Sequence, residues 1–132
     1  MTPETKQKLT DAALAVRKNA YAPYSNFQVG SAVLTEDGTI ATGANIENAS
    51  YSLTICAERV AAASAIAAGH QKIQAIAITS PGAAAPCGAC RQFLAEFGTE
   101  IDIILIDAEN PQDFQETTLE KLLPQQFNLK KD

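Results

Sequence analysis

The chain has 132 residues, 46% of them hydrophobic and 19% charged, which is the make-up of one folded domain and excludes a disordered or low-complexity chain. A formal net charge of -5, with ten scattered basic residues, speaks against binding to a nucleic-acid backbone, which calls for clustered Lys and Arg. No apolar stretch of about 18 residues suggests a membrane span.

Pro3 suits a first helical position, and Leu9, Ala12, Ala13 and Val16 recur at helical spacing, so residues 3–18 are expected to form a helix. "YAPYSNF" interrupts this pattern with Pro23 and aromatic residues. "QVGSAVLTEDGTIATGANIE" predicts two strands joined at Asp37–Gly38, a strong hairpin signal. "TICAERVAAASAIAAG" reads as a helix stopped by Gly69, "KIQAIAITS" as a strand, and "CGACRQFLAEFG" as a helix closed by Gly98. "IDIILIDAE" is a second buried strand, and "DFQET" predicts a short edge strand. "TLEKLLP" closes the series as a helix, with Thr117 and Glu120 spaced as a capping box and Pro124 ending it. The order α-β-β-α-β-α-β-β-α predicts an α/β fold: an α-β-α sandwich around a mixed sheet of about five strands. No linker divides the sequence, so a single domain over residues 1–132 is expected.

The chemistry concentrates in three cysteines. Cys87 and Cys90 sit three apart at the start of one helix, and Cys56 begins another about 30 residues earlier. A helix N-terminus favours thiolate, the form that binds metal. The amino terminus has no apolar signal-peptide core, so a cytoplasmic protein with reduced thiols is the expectation. Three soft ligands from two helix starts favour Zn²⁺ and leave a fourth position open, as catalytic sites do. His70, the lone histidine, stands at the far end of the helix begun by Cys56, about 20 Å away, and is expected to cap that helix end. Glu58 follows Cys56 by two residues and can reach a metal placed off the helix end, where a carboxylate shuttles protons to and from water. Arg59 and Arg91, each beside a cysteine motif, are expected to donate hydrogen bonds to sulfur and offset the thiolate charge. A redox dithiol or a structural zinc module is the competing reading of the cysteines alone.

The composite of "CAE" and "PCGAC" follows the zinc-deaminase signature. With "YAPYSNFQVGSAV", "GANIENASY", "ICAERVA", "PCGACRQFL" and "LLPQQF" in order, the chain resembles the cytidine deaminase family, in its small homotetrameric branch with three zinc thiolates. The resemblance implies one Zn²⁺ per chain on Cys56, Cys87 and Cys90, and hydrolysis of cytidine and deoxycytidine to the uridines with release of ammonia. It implies that Glu58 protonates ring nitrogen 3 and then the leaving amine. Phe27 would pack on the base, Asn45 and Glu47 would bind the ribose, and the Ala57 backbone would meet the base edge. Tyr51 and Phe127 would reach a neighbouring subunit's pocket in a homotetramer. Intact "NIEN" sets this branch apart from deaminases of other aminopyrimidines. Neither nucleic acid nor membrane is expected as a partner, and pyrimidine salvage is the implied role.

Overall fold

The computed structural model describes residues 1–129. Helix α1 (Pro3–Arg17) starts where Thr2 caps it, its Oγ1 accepting from the Thr5 N–H at 3.1 Å, and Pro3 takes the first turn, where a missing N–H costs nothing. Strands β1 (Gly30–Thr35) and β2 (Ile40–Ala44) form the expected antiparallel hairpin. Its turn needs Gly38, whose φ is +91°. After a 3-10 turn at Tyr51–Leu53 come α2 (Ala57–Ala67), β3 (Ile73–Ser80), α3 (Gly88–Ala95), β4 (Asp102–Asp107), β5 (Asn110–Thr118) and α4 (Leu119–Leu122).

The five strands form one mixed sheet in the order β2-β1-β3-β4-β5, with β3 and β4 parallel and the other pairs antiparallel. Strand residues alternate between two cores, as a period of two requires. Ala32, Leu34, Ala75, Ala77, Ile104 and Ile106 face Leu9 and Ala13 of α1. Val33, Ile76, Ile78, Ile103 and Leu105 face the other way, against Ala61, Ala62 and Ala65 of α2 and Leu94 of α3. This is the predicted α-β-α sandwich, and α2 and α3 share one sheet face.

Alanine on the buried side of α2 lets the helix backbone lie very close to the sheet. A Cβ on Gly43 of β2 would stand 2.3 Å from the Ala61 nitrogen, so glycine is required by contact at that crossing.

Three elements differ from the sequence reading. Strand β5 has nine residues rather than five; as a mostly exposed edge strand it owes its length to pairing with β4, not to its own apolar pattern. Helix α4 is a single turn capped by Thr118, whose Oγ1 accepts from the Lys121 N–H, while Thr117 remains in β5 paired with Ile103. Helix α1 ends at Arg17, one residue early.

Candidate active site and metal centre

Cys56 and Cys87 occupy equivalent positions: each is the N-cap residue of its helix, in extended backbone, with its side chain unused in capping. Cys90 lies one turn into α3 and is fully buried. Because α2 and α3 lie on one face and start at the same end, the sulfurs converge. Cys56 Sγ lies 3.9 Å from Cys87 Sγ, and Cys87 Sγ lies 3.5 Å from Cys90 Sγ. All three fall within 4.8 Å of one another. Tetrahedral zinc with bonds of about 2.3 Å sets its sulfurs about 3.8 Å apart, so this donor set fits zinc with little adjustment.

Cys56 and Cys90 share a proton between them. The hydrogen bond from Cys90 holds Cys56 well below the usual thiol range, aided by Arg59, while the same contact and burial push Cys90 up. One thiolate is therefore favoured before metal arrives, and metal binding releases the remaining protons.

Glu58 stands in the first turn of α2 with 6% of its surface exposed. Burial pushes its carboxyl pKa up, and negative charge on Cys56 pushes the same way. A carboxyl beside the sulfurs that takes up a proton this readily is suited to carry one.

The two arginines are placed differently. Arg59 Nη2 lies 3.8 Å from Cys56 Sγ and 3.4 Å from the Thr54 carbonyl, and the Cys56 contact raises the guanidinium pKa. Arg91 corrects the sequence reading: it donates to the carbonyls of Pro86 and Leu122, each at 2.8 Å, rather than to sulfur. It thus clamps the loop before Cys87 to the end of α4, a long-range contact invisible in "PCGACRQ". His70 ends up far from the sulfurs, with Nδ1 3.2 Å from Asp37 Oδ2 at the hairpin tip. Among the described residues, the three cysteines are the one cluster of potential ligands.

A short backbone ladder delivers the remaining candidates. Residue 46 bridges Tyr21 on one side and Ile55 on the other, which joins the "YAPYSNF" loop, the "NIEN" segment and the approach to Cys56. Asn45 is buried; its Nδ2 donates to the Phe27 carbonyl at 2.8 Å and its Oδ1 accepts from the Val29 N–H at 2.9 Å. Glu47 Oε1 accepts from the Tyr24 and Ser25 N–H groups at 2.9 and 3.1 Å, and its Oε2 accepts from the Ser25 hydroxyl. Those bonds, the hydroxyl first, hold the Glu47 carboxyl below its usual range. Tyr24 and Ser25 were missed in the sequence. The only local sign was a turn-forming "YSN", and their link to Glu47 spans 22 or 23 positions.

Phe27 is exposed at the end of this loop. Ala57 is fully buried as the first residue of α2, next to Glu58. Tyr51 is 78% exposed and meets Tyr24 edge-on at 6.5 Å. Phe127 is 70% exposed, with its carbonyl accepting from Gln92 Nε2 at 3.1 Å. Tyr24, Ser25, Glu47, Tyr51 and Thr54 line a shallow cleft of about 330 Å³. A larger cleft of about 600 Å³ lies beyond the start of β3 and the end of α3, the ends away from the cysteines.

Three cysteines at two helix starts on one sheet face, with a buried glutamate beside them, define a metal centre with a proton-carrying group at hand. The model of the cytidine and deoxycytidylate deaminase zinc-binding region matches residues 3–105. A cytidine deaminase from Sporosarcina psychrophila is 45% identical over 125 residues, covering 92% of this chain and 90% of its own. The crystal structure of cytidine deaminase from Burkholderia pseudomallei has a TM-score of 0.87 at 45% identity, over 96% of this chain and all of that one. The structure of the Mycobacterium tuberculosis cytidine deaminase has a TM-score of 0.80 at 38% identity, over 94% and 98% of the two chains. The chain belongs to the cytidine deaminase family, an enzyme family of hydrolases, and its three-cysteine group is a zinc site.

Proposed function

We propose that this chain, a single domain over residues 1–132, hydrolyses free cytidine and deoxycytidine to uridine and deoxyuridine with release of ammonia, in cytoplasmic pyrimidine salvage. The observation that carries this reading is the buried Glu58 carboxyl set among three convergent cysteine sulfurs.

Cys56, Cys87 and Cys90 would hold the zinc. When bound, zinc supplies Lewis acidity that makes hydroxide available near neutral pH. Glu58 takes the proton released from water, passes it to ring nitrogen 3, and delivers the second proton to the departing amine. Water and cytidine thus become uridine and ammonia with no other reactant. Arg59 offsets thiolate charge at Cys56, and Arg91 steadies the loop that carries Cys87. The Ala57 backbone meets the base edge and Phe27 packs on its face.

Hydrogen-bond capacity supports sugar recognition by "NIEN". Asn45 retains one Nδ2 hydrogen after its bond to Phe27. Glu47 has used three of about four acceptor positions. One free donor and one free acceptor, two residues apart, suit a single sugar hydroxyl. That is why both ribo- and deoxyribonucleosides are proposed. The cleft beside Glu47 offers a carboxylate and no cation, which favours a nucleoside over a 5′-phosphorylated nucleotide.

Exposed Tyr21, Ile46, Tyr51, Leu53, Ile55 and Phe127 support a homotetramer in which Tyr51 and Phe127 complete a neighbour's site. The net charge of -5 disfavours nucleic acid as a partner, and no described helix is long and apolar enough to cross a membrane. The test is ultraviolet detection of cytidine, deoxycytidine and deoxycytidylate turnover by the zinc-loaded enzyme. Turnover of the two nucleosides well above the nucleotide is expected; preference for the nucleotide overturns the substrate reading.

A further inference from the structure

The Ser25 hydroxyl works in both directions at once. It accepts from the Phe27 N–H at 3.0 Å and donates to Glu47 Oε2. Asn26, between Ser25 and Phe27, has φ of +58°, a left-handed turn that asparagine tolerates better than most residues. That turn brings the Phe27 N–H back to the serine oxygen two residues earlier. Glu47 Oε1 is meanwhile filled by two backbone N–H groups.

We infer that Ser25 is a positioning residue for nucleoside recognition: its hydroxyl locks Phe27 to Glu47 and determines that the one free acceptor position of the carboxylate lies on Oε2. The inference rests on the reading above, in which Phe27 packs on the base and Glu47 binds the sugar. Through Ser25 the two ends of the nucleoside are recognised by one rigid unit. Without the hydroxyl, Oε1 keeps its two backbone donors, but Oε2 is free to turn and the Phe27 N–H loses its partner. Among the described residues, the side-chain hydrogen bonds of this relay run between Ser25, Phe27, Tyr24 and Glu47 and include neither a zinc ligand nor Glu58, so the effect falls on substrate affinity and not on chemistry.

The test compares Ser25→Ala, Ser25→Thr and Glu47→Ala in the zinc-loaded enzyme with cytidine as substrate. Ser25→Ala is expected to raise KM about tenfold, the scale of one lost hydrogen bond to a charged group. Its kcat stays within about twofold, as expected when an interaction made equally in ground and transition states is removed. Zinc content stays at that of the parent. Ser25→Thr, which keeps the hydroxyl, recovers most of the affinity. In a Glu47→Ala background, the Ser25→Ala penalty shrinks to about twofold, because the two side chains act together. An unchanged KM in Ser25→Ala, an equal loss in Ser25→Thr, or a fall in kcat with loss of zinc each overturns the inference. If Glu47→Ala raises KM while Ser25→Ala does not, the inference fails alone. If Glu47→Ala leaves KM unchanged, the sugar-binding reading fails and takes the inference with it.

Discussion

Gly43→Ala should damage the metal centre from a distance. The added Cβ would lie 2.3 Å from the Ala61 nitrogen and 2.8 Å from Val60 carbon atoms, whereas ordinary contact begins at 3.4 Å. Restoring contact requires the α2 backbone to retreat from β2 by about 1 Å, and backbone yields less readily than a side-chain tip. Cys56 is the N-cap residue of that same helix, with its Sγ 3.9 Å from Cys87 Sγ. A zinc site tolerates errors of about 0.2 Å in its ligand distances, several times less than the shift. The expected cost is about 3 kcal/mol, the upper end for overpacking, and about 10 °C in Tm for a domain of this size. Zinc content, by metal analysis after dialysis, should fall well below the parent's one per chain. A variant that keeps full zinc and melts within about 2 °C of the parent would refute the argument that α2 is held by contact with Gly43.

Cys87→Ala should lose its metal, and chelator, which lowers the parent's Tm, should leave that of the variant unchanged, because a metal bound only to the native state stabilises it; full zinc occupancy in the variant would contradict the ligand assignment. At the hairpin tip, the Thr35 hydroxyl and then the Thr39 N–H hold Asp37 down from its ordinary 3.8 to about 2. A depressed carboxylate contributes stability above its unfolded value that is lost as pH falls through its folded value. The Tm difference between parent and Asp37→Asn should therefore narrow as pH falls from about 4 toward about 2; a difference independent of pH over that window would count against these hydrogen bonds.

The parts of the fold legible in the sequence are those written in local terms. Gly69 stops α2 at a φ of +104°, Asp37–Gly38 marks the hairpin, and the cysteines stand where two helices begin, whereas α3 ends at Ala95, short of the stop expected at Gly98. The sandwich follows because α2 leads into β3 and α3 into β4, two parallel neighbours, which puts both helices on one sheet face. Strand β5 was underestimated because an edge strand with polar residues is specified by its neighbour, β4. The cap of α4 was misplaced by one residue because Thr117 and Thr118 carry the same side chain, and only pairing with Ile103 holds the first of them in the strand.

The candidate site divides the same way. The cysteine spacing and the adjacent Glu58 are local, and the convergence of the three sulfurs follows from the layer arrangement. The partners of Arg91 and Glu47 are not local: one reaches the carbonyl of Leu122, 31 positions on, and the other gathers donors from residues 24 and 25. Such links depend on where loops meet, and residue type alone does not encode that meeting.

The central claim is that Glu58 carries the protons of cytidine hydrolysis beside a zinc held by three cysteines. Its most direct test is turnover of cytidine by the parent and by Glu58→Gln, with zinc content measured in both. The account predicts one zinc per chain in each protein and a kcat at least about 100-fold lower in the variant, the scale of general acid–base catalysis. A variant that retains zinc and turns over cytidine within about tenfold of the parent would contradict it.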